Sequence, residues 1–296
     1  MTYTLENDLC RVSVNSHGAE LSSFIRKSVD ERAELEYMWQ ADPAIWGRHA
    51  PVLFPIVGRL PQDTYLHNGH SYKLSQHGFA RDREFALVRQ TPTQLRFELR
   101  ADEQTRAVYP FDFLLAITYQ LHDRTLTVGW DVQNPAADQD LLFSIGAHPA
   151  FRCPILEEEE KFEDYFFHFD HPVTFERHVL EGGLLNCQTE PVLHEQTELP
   201  LTYPLFEQDA LVLKHYDFTH ITLRSFRSDR SVRMRFDGFP YLGLWTKGEG
   251  APFVCIEPWH GVASSIGEVQ ELSDKEGIMT LRPGKSFSAN YDITVV

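Results

Sequence analysis

Residues 125–134 read TLTVGWDVQN, in which Leu126, Val128, Trp130 and Val132 alternate with Thr127, Gly129 and Asp131. A period of two places the apolar set on one face and the polar set on the other. That is the pattern of a half-buried antiparallel strand. The same signature recurs outward in both directions. In VRMRFDGF (232–239), Val232, Met234 and Phe236 alternate with Arg233, Arg235 and Asp237. FLLAITYQL (113–121), ALVLKHY (210–216), HITLRSF (220–226), YLGLWTK (241–247) and SANYDITVV (288–296) are short, rich in β-branched or aromatic residues, and bounded by turn formers. Asn68-Gly69 and Asp237-Gly238 are hairpin-type turn signals, the second followed by Phe239-Pro240 and hence by a longer connection.

Helical signal is confined to two short stretches, 41–50 and 264–277. The acidic tract EEEEKFED (157–164) reads as a solvated loop. No internal repeat and no Gly/Ser-rich or Pro-rich linker interrupts the chain, and strands are expected from about residue 3 to residue 295. One large all-β domain over 1–296, an antiparallel β-sandwich with a few short helices, is the expected architecture.

The 296 residues contain 27 Lys and Arg against 43 Asp and Glu, a formal charge of −16. Such a field repels phosphate backbones and anionic membrane surfaces, which argues against nucleic acid as a partner. No apolar stretch approaches the ~18 residues of a membrane span. The first ten residues lack a basic segment followed by an apolar one, so the expected location is cytoplasmic. Cys10, Cys153, Cys187 and Cys255 are scattered without CxxC spacing and read as reduced, mostly buried thiols. His67 and His70 in HNGH (67–70) share a turn without a third ligand nearby, so no metal and no cofactor is expected.

Signatures of nucleophile elbows, phosphate loops and metalloprotease helices are absent. A different device appears twice. LFSIGAHPAF (142–151) and PFVCIEPWHG (252–261) are strand-like runs in which a titratable residue directly precedes proline, at His148-Pro149 and Glu257-Pro258. Proline pushes its predecessor towards extended backbone and cannot donate the next ladder hydrogen bond, so each strand is expected to end there with the side chain at a rim. Arg59 after PVLFPIVG, His77, Arg81 and Arg83 in QHGFARDREF (76–85), and Asp209 at the start of a strand are further polar residues in apolar or turn-rich segments.

Taken together, GRL, HGFAR, IGAHPAF, the Asp of QDALVL and CIEPWHG occur in an order and spacing that resembles the aldose 1-epimerase (galactose mutarotase-like) family, and most of all its branch of small LacX-like bacterial proteins. The resemblance runs from SHGAELSSF (16–24) to LRPGKSFSANYDI (281–293). It implies a β-supersandwich with a sugar site in a cleft on one sheet. It also implies a cofactor-independent isomerase that interconverts α- and β-anomers of an aldose by opening and reclosing the ring. Glu257 is then the base at the C1 hydroxyl and His148 the acid at the ring oxygen. His77, Arg59 and Asp209 would hold the sugar; Arg81, Arg83 or Lys247 could meet a 6-phosphate. Trp259, two residues after Glu257, would share its side of an extended segment and could stack on a sugar face. The implied partner is a small-molecule sugar bound to a monomer or homodimer. Two competing readings are a non-catalytic sugar-binding or sugar-sensing protein and a glycoside hydrolase using Glu257 and Asp209 about 5–9.5 Å apart.

Overall fold

The computed structural model describes residues 1–28 and 33–296. The alternation at 125–134 becomes the strand Thr125–Gln133, with Leu126, Val128, Trp130 and Val132 buried and the intervening residues half-buried. It pairs antiparallel with Leu114–His122 on one side and Ser286–Val295 on the other. These strands belong to a 15-stranded sheet that runs from Val52–Leu53 at one edge to Ala86–Gln90 at the other. A second, four-stranded sheet is built from Thr2–Glu6, Cys10–Asn15, Glu20–Arg26 and Leu35–Glu36.

The two sheets share one buried cluster. Leu5, Val12, Val14 and Phe24 of the smaller sheet join Phe97, Tyr119, Val128 and Trp130 of the larger one. Each such side chain taken out of water contributes roughly 1.5–3 kcal/mol, which is why the period-two pattern decides the architecture. Asn68 and Gly69 both adopt positive φ, 52° and 76°, and close the hairpin of Thr64–His67 with His70–Lys73. Asp237-Gly238 instead leads from Ser231–Arg235 to Tyr241–Trp245, which pairs elsewhere in the sheet.

Several local expectations are corrected. Residues 41–50 form turns, and 264–277 contains only the short 3-10 segment Leu272–Asp274. The α-helix among the described residues is Glu103–Val108, whose Asp102 side chain accepts from Thr105 N at 2.7 Å while Thr105 Oγ1 accepts from Asp102 N at 2.8 Å. This reciprocal cap satisfies amide donors of the first turn. The acidic tract is not wholly solvated: Glu160 is buried and accepts hydrogen bonds from the hydroxyls of Tyr165 and Ser225. No helix among the described residues is long and apolar enough to cross a membrane.

Candidate active site

The strand Phe253–His260 crosses the sheet between Tyr241–Trp245 on one side and the consecutive strands Ile145–Ala147 and Ala150–Arg152 on the other. It is buried on both faces, so it reads as a continuous run and not as an alternation. Val254 and Ile256 enter the main core, whereas Cys255, Glu257 and Trp259 belong to the opposite side. The expectation that this strand ends at Glu257-Pro258 is overturned. Ile256 N donates to Pro149 O at 3.4 Å, and Pro258, two residues on, faces the same way. That side is where the neighbouring ladder is interrupted at His148-Pro149, so the missing proline N–H breaks no bond. At His148 the expected interruption is present, between Ile145–Ala147 and Ala150–Arg152.

The interruption and the continuous strand bring two titratable side chains into contact. His148 Nε2 lies 3.3 Å from Glu257 Oε2. His148 is 8% exposed and Glu257 1%. The His148 ring is packed by three neighbours: Trp46 stacks on it at 5.0 Å, Trp245 meets it edge-on at 5.4 Å, and His77 edge-on at 5.8 Å. Burial pushes the His148 imidazolium down to about 3, with Arg81 and Arg48 adding to the shift. Burial, and then the negative charge of Asp209, push the Glu257 carboxyl well above the usual carboxylate range. Both effects favour the neutral forms of the two groups.

The pair lies in a cleft of about 480 Å3 lined also by Trp46, Gln76, His77, Arg81, Asp209, Trp245, Lys247 and Trp259. His77 sits at a positive φ of 67° and exchanges two bonds with Gly58: His77 N donates to Gly58 O at 2.9 Å, and Gly58 N donates to His77 Nδ1 at 3.1 Å. A ring nitrogen that accepts from an amide carries no proton, so the neutral ring holds its hydrogen on Nε2. Burial, followed by the charges of His148, Arg81 and Arg48, keeps His77 well below the ordinary histidine range. Arg81 donates to Gln76 O at 2.7 Å, and its buried Nε lies 3.8 Å from Asp82. Asp209, at φ 72°, is exposed at the cleft mouth.

Not every expected residue arrives. Arg59 does not line the cleft: its guanidinium pairs with Asp63 at 3.0 Å and donates to Gly182 O at 3.1 Å, one residue from the cleft-lining Gly183. The carboxylate four residues on draws it away. Arg83 is likewise elsewhere, donating to Gln104 at 2.6 Å. Trp259 lines the floor but is 5% exposed, and its indole donates to Ala147 O at 3.1 Å. Its ring is wedged between two glycines, where an added Cβ at Gly146 or Gly243 would fall 2.5 or 2.4 Å from it. Trp259 is therefore packed in place, and the aromatic faces beside His148 are those of Trp46 and Trp245.

Sequence spacing did not anticipate a metal-ligand group, yet the structure assembles one. His148, Cys255 and Glu257 place their donor atoms within 4.8 Å of one another. All four cysteines are free, and Cys187 is the exposed one.

Residues 1–272 match the family model for aldose 1-epimerase. The chain is 34% identical to the chromosomal LacX protein of Lactococcus lactis, with both chains covered in full. It superimposes with a TM-score of 0.93 on a galactose mutarotase related enzyme from Lactobacillus acidophilus, at 36% identity and covering 100% of this chain and 97% of that one. A galactose mutarotase-like protein from Lactobacillus casei gives 0.90 at 30% identity, with both chains fully covered. The chain belongs to the aldose 1-epimerase family and has the galactose mutarotase-like antiparallel β-sandwich.

Proposed function

We propose that this protein is a cofactor-independent aldose 1-epimerase in which Glu257 and His148 exchange protons with a sugar held in the cleft. The 3.3 Å contact between them is the observation that carries this reading. Ring opening removes a proton from the C1 hydroxyl and delivers one to the adjacent ring oxygen, and reclosure on the other face reverses both transfers. Two groups side by side at the cleft floor match two neighbouring oxygens on one sugar edge.

The pair shares one proton in either of two arrangements: carboxylic acid with neutral imidazole, or carboxylate with imidazolium. Burial favours the first when the cleft is empty. Passing the proton across the contact produces the second, with Glu257 as base at the C1 hydroxyl and His148 as acid at the ring oxygen, at no change in net charge. His77 donates its Nε2 proton to a sugar oxygen, and Asp209 accepts from hydroxyls at the mouth. Trp46 and Trp245 hold the imidazole ring in register.

Arg81 and Lys247 line the same cleft, so the substrate panel that tests this reading includes 6-phosphorylated as well as free aldoses. The experiment is an NMR anomer-exchange measurement across that panel. Exchange accelerated for at least one sugar supports the proposal. Sugar binding without acceleration for any of them overturns it in favour of a binding protein.

A further inference from the structure

We propose that the cleft floor is also a binding site for a thiophilic divalent cation, of which zinc is the type case, held by His148, Cys255 and Glu257. Cys255 and Glu257 alternate on one strand and so point to the same side, while His148 comes from the break in the neighbouring ladder. The three donors lie within 4.8 Å of one another. Two nitrogen or oxygen ligands about 2.0–2.1 Å from a tetrahedral ion are about 3.3–3.4 Å apart. His148 Nε2 and Glu257 Oε2 already have that separation, 3.3 Å. The sulfur must close in by roughly 1 Å to reach the ~2.3 Å of a zinc–thiolate bond, within reach of a side-chain adjustment. Glu257 and His148 border the cleft and Cys255 lies beneath them. The three protein ligands thus leave a fourth position that opens on the cleft.

Charge balance supports the assignment. The ion displaces one proton from the Glu257 carboxyl and one from the Cys255 thiol, and the neutral imidazole binds as it stands. Zn2+ with one carboxylate, one thiolate and one imidazole has no net charge, which is the form a buried floor tolerates best. The protein's −16 formal charge draws cations towards it. An ion in this position occupies the groups that a sugar is proposed to engage. The metal site itself rests on the three side chains and not on the sugar reading.

The test is a cobalt(II) titration of the full-length chain carrying Cys187→Ser, which removes the exposed thiol. The expected result is one bound cobalt per chain with a thiolate-to-cobalt absorption in the near ultraviolet, displaced by one equivalent of zinc. Cys255→Ala should abolish that absorption, and Cys255→Ala and Glu257→Gln should each weaken binding at least tenfold while circular dichroism remains that of the parent. Cys255→Ser serves as a second variant if the alanine substitution impairs folding. Cobalt binding that lacks the thiolate band, or that survives Cys255 substitution at unchanged affinity, overturns the proposal. So does an absence of binding at micromolar cobalt. Because the readout is spectroscopic, none of these outcomes depends on whether the protein accelerates anomer exchange.

Discussion

Glu257 lies directly opposite Gly243 across an antiparallel pair, and a Cβ added at Gly243 would come within 3.3 Å of the Glu257 Cβ and 2.4 Å of the Trp259 ring. The absence of a side chain at one position of Tyr241–Trp245 is thus what lets the carboxyl and the indole lie where they do. With His148 packed against the rings of Trp46, Trp245 and His77, the proposed acid–base pair is held by rigid neighbours. Proton transfer to particular oxygens rewards this, since misplacement of about 1 Å can cost ~10²-fold in rate.

Substituting Glu257 separates catalysis from binding. Glu257→Gln keeps the shape and a hydrogen-bonding terminus but cannot take up the C1 proton as a carboxylate does. Anomer exchange is expected to fall by roughly 10²–10⁴-fold. Sugar affinity, measured by calorimetry, should change by about tenfold or less, equivalent to ~1.4 kcal/mol. A kcat kept near normal with a steeply raised KM would instead make Glu257 a ligand-holding residue.

Metal removal gives the second expectation. No transfer between Glu257, His148 and the sugar oxygens calls for a Lewis acid, so exchange should persist after exhaustive chelation. Added zinc should slow it, through the ligands shared with His148 and Glu257. Activity lost on chelation and restored by one divalent ion would contradict the protonic scheme.

Much of this was legible in the sequence, for a physical reason. Where one face of a strand is buried, alternation at 125–134 or 232–239 records it directly. The long arms Tyr165–Glu181 and Leu184–Pro200 carry polar residues through much of both strands and left no such record. Helix Glu103–Val108 is too short for a 3.6-residue period; only its Asp102–Thr105 cap could have announced it. Within the site, His148, His77, Arg81, Asp209 and Glu257 all reach the cleft lining. The alternation that pairs Trp259 with Glu257 applies equally to Cys255. Trp46 and Trp245 carry no titratable group or motif, and only the fold shows them beside His148. Arg59 lies off the cleft lining, where Asp63, four residues on, supplies a nearer partner.

The packing around Trp259 can be tested from the glycine side. Gly243→Ala should overpack the floor and lower stability by about 1–3 kcal/mol in urea denaturation. Exchange should fall as well, since the displaced indole and carboxyl share the floor. Gly129→Ala is the control: on the outer face of Thr125–Gln133 the nearest atom to an added Cβ is 4.0 Å away. It should leave exchange unchanged. Equal tolerance at both positions would show that the Gly243 contact does not set the site.

The remaining expectation concerns Lys275, whose ammonium group is buried and donates to Val262 O and, at 3.4 Å, to Glu276 O. Val262 precedes Ala263, a wall residue of the cleft. Burial pushes the lysine down to about 7 against an ordinary value of 10.5, partly offset by Glu276, while Lys214 acts in the same direction as burial. Between those two pH values the unfolded chain holds a proton that the folded chain has released. Stability from this group therefore rises with pH across the window and is lost as pH falls through about 7. Lys275→Met removes the titration but leaves the Val262 carbonyl unpaired, a cost of about 1–3 kcal/mol that does not vary with pH. Urea midpoints from pH 6.5 to 9.5 for both proteins isolate the effect, because buried tyrosines and cysteines titrate alike in each. The gap of wild type over Lys275→Met should widen steadily as pH rises. A gap that stays flat would mean that Lys275 remains charged in the fold, held by Glu276 and the backbone carbonyls despite its burial.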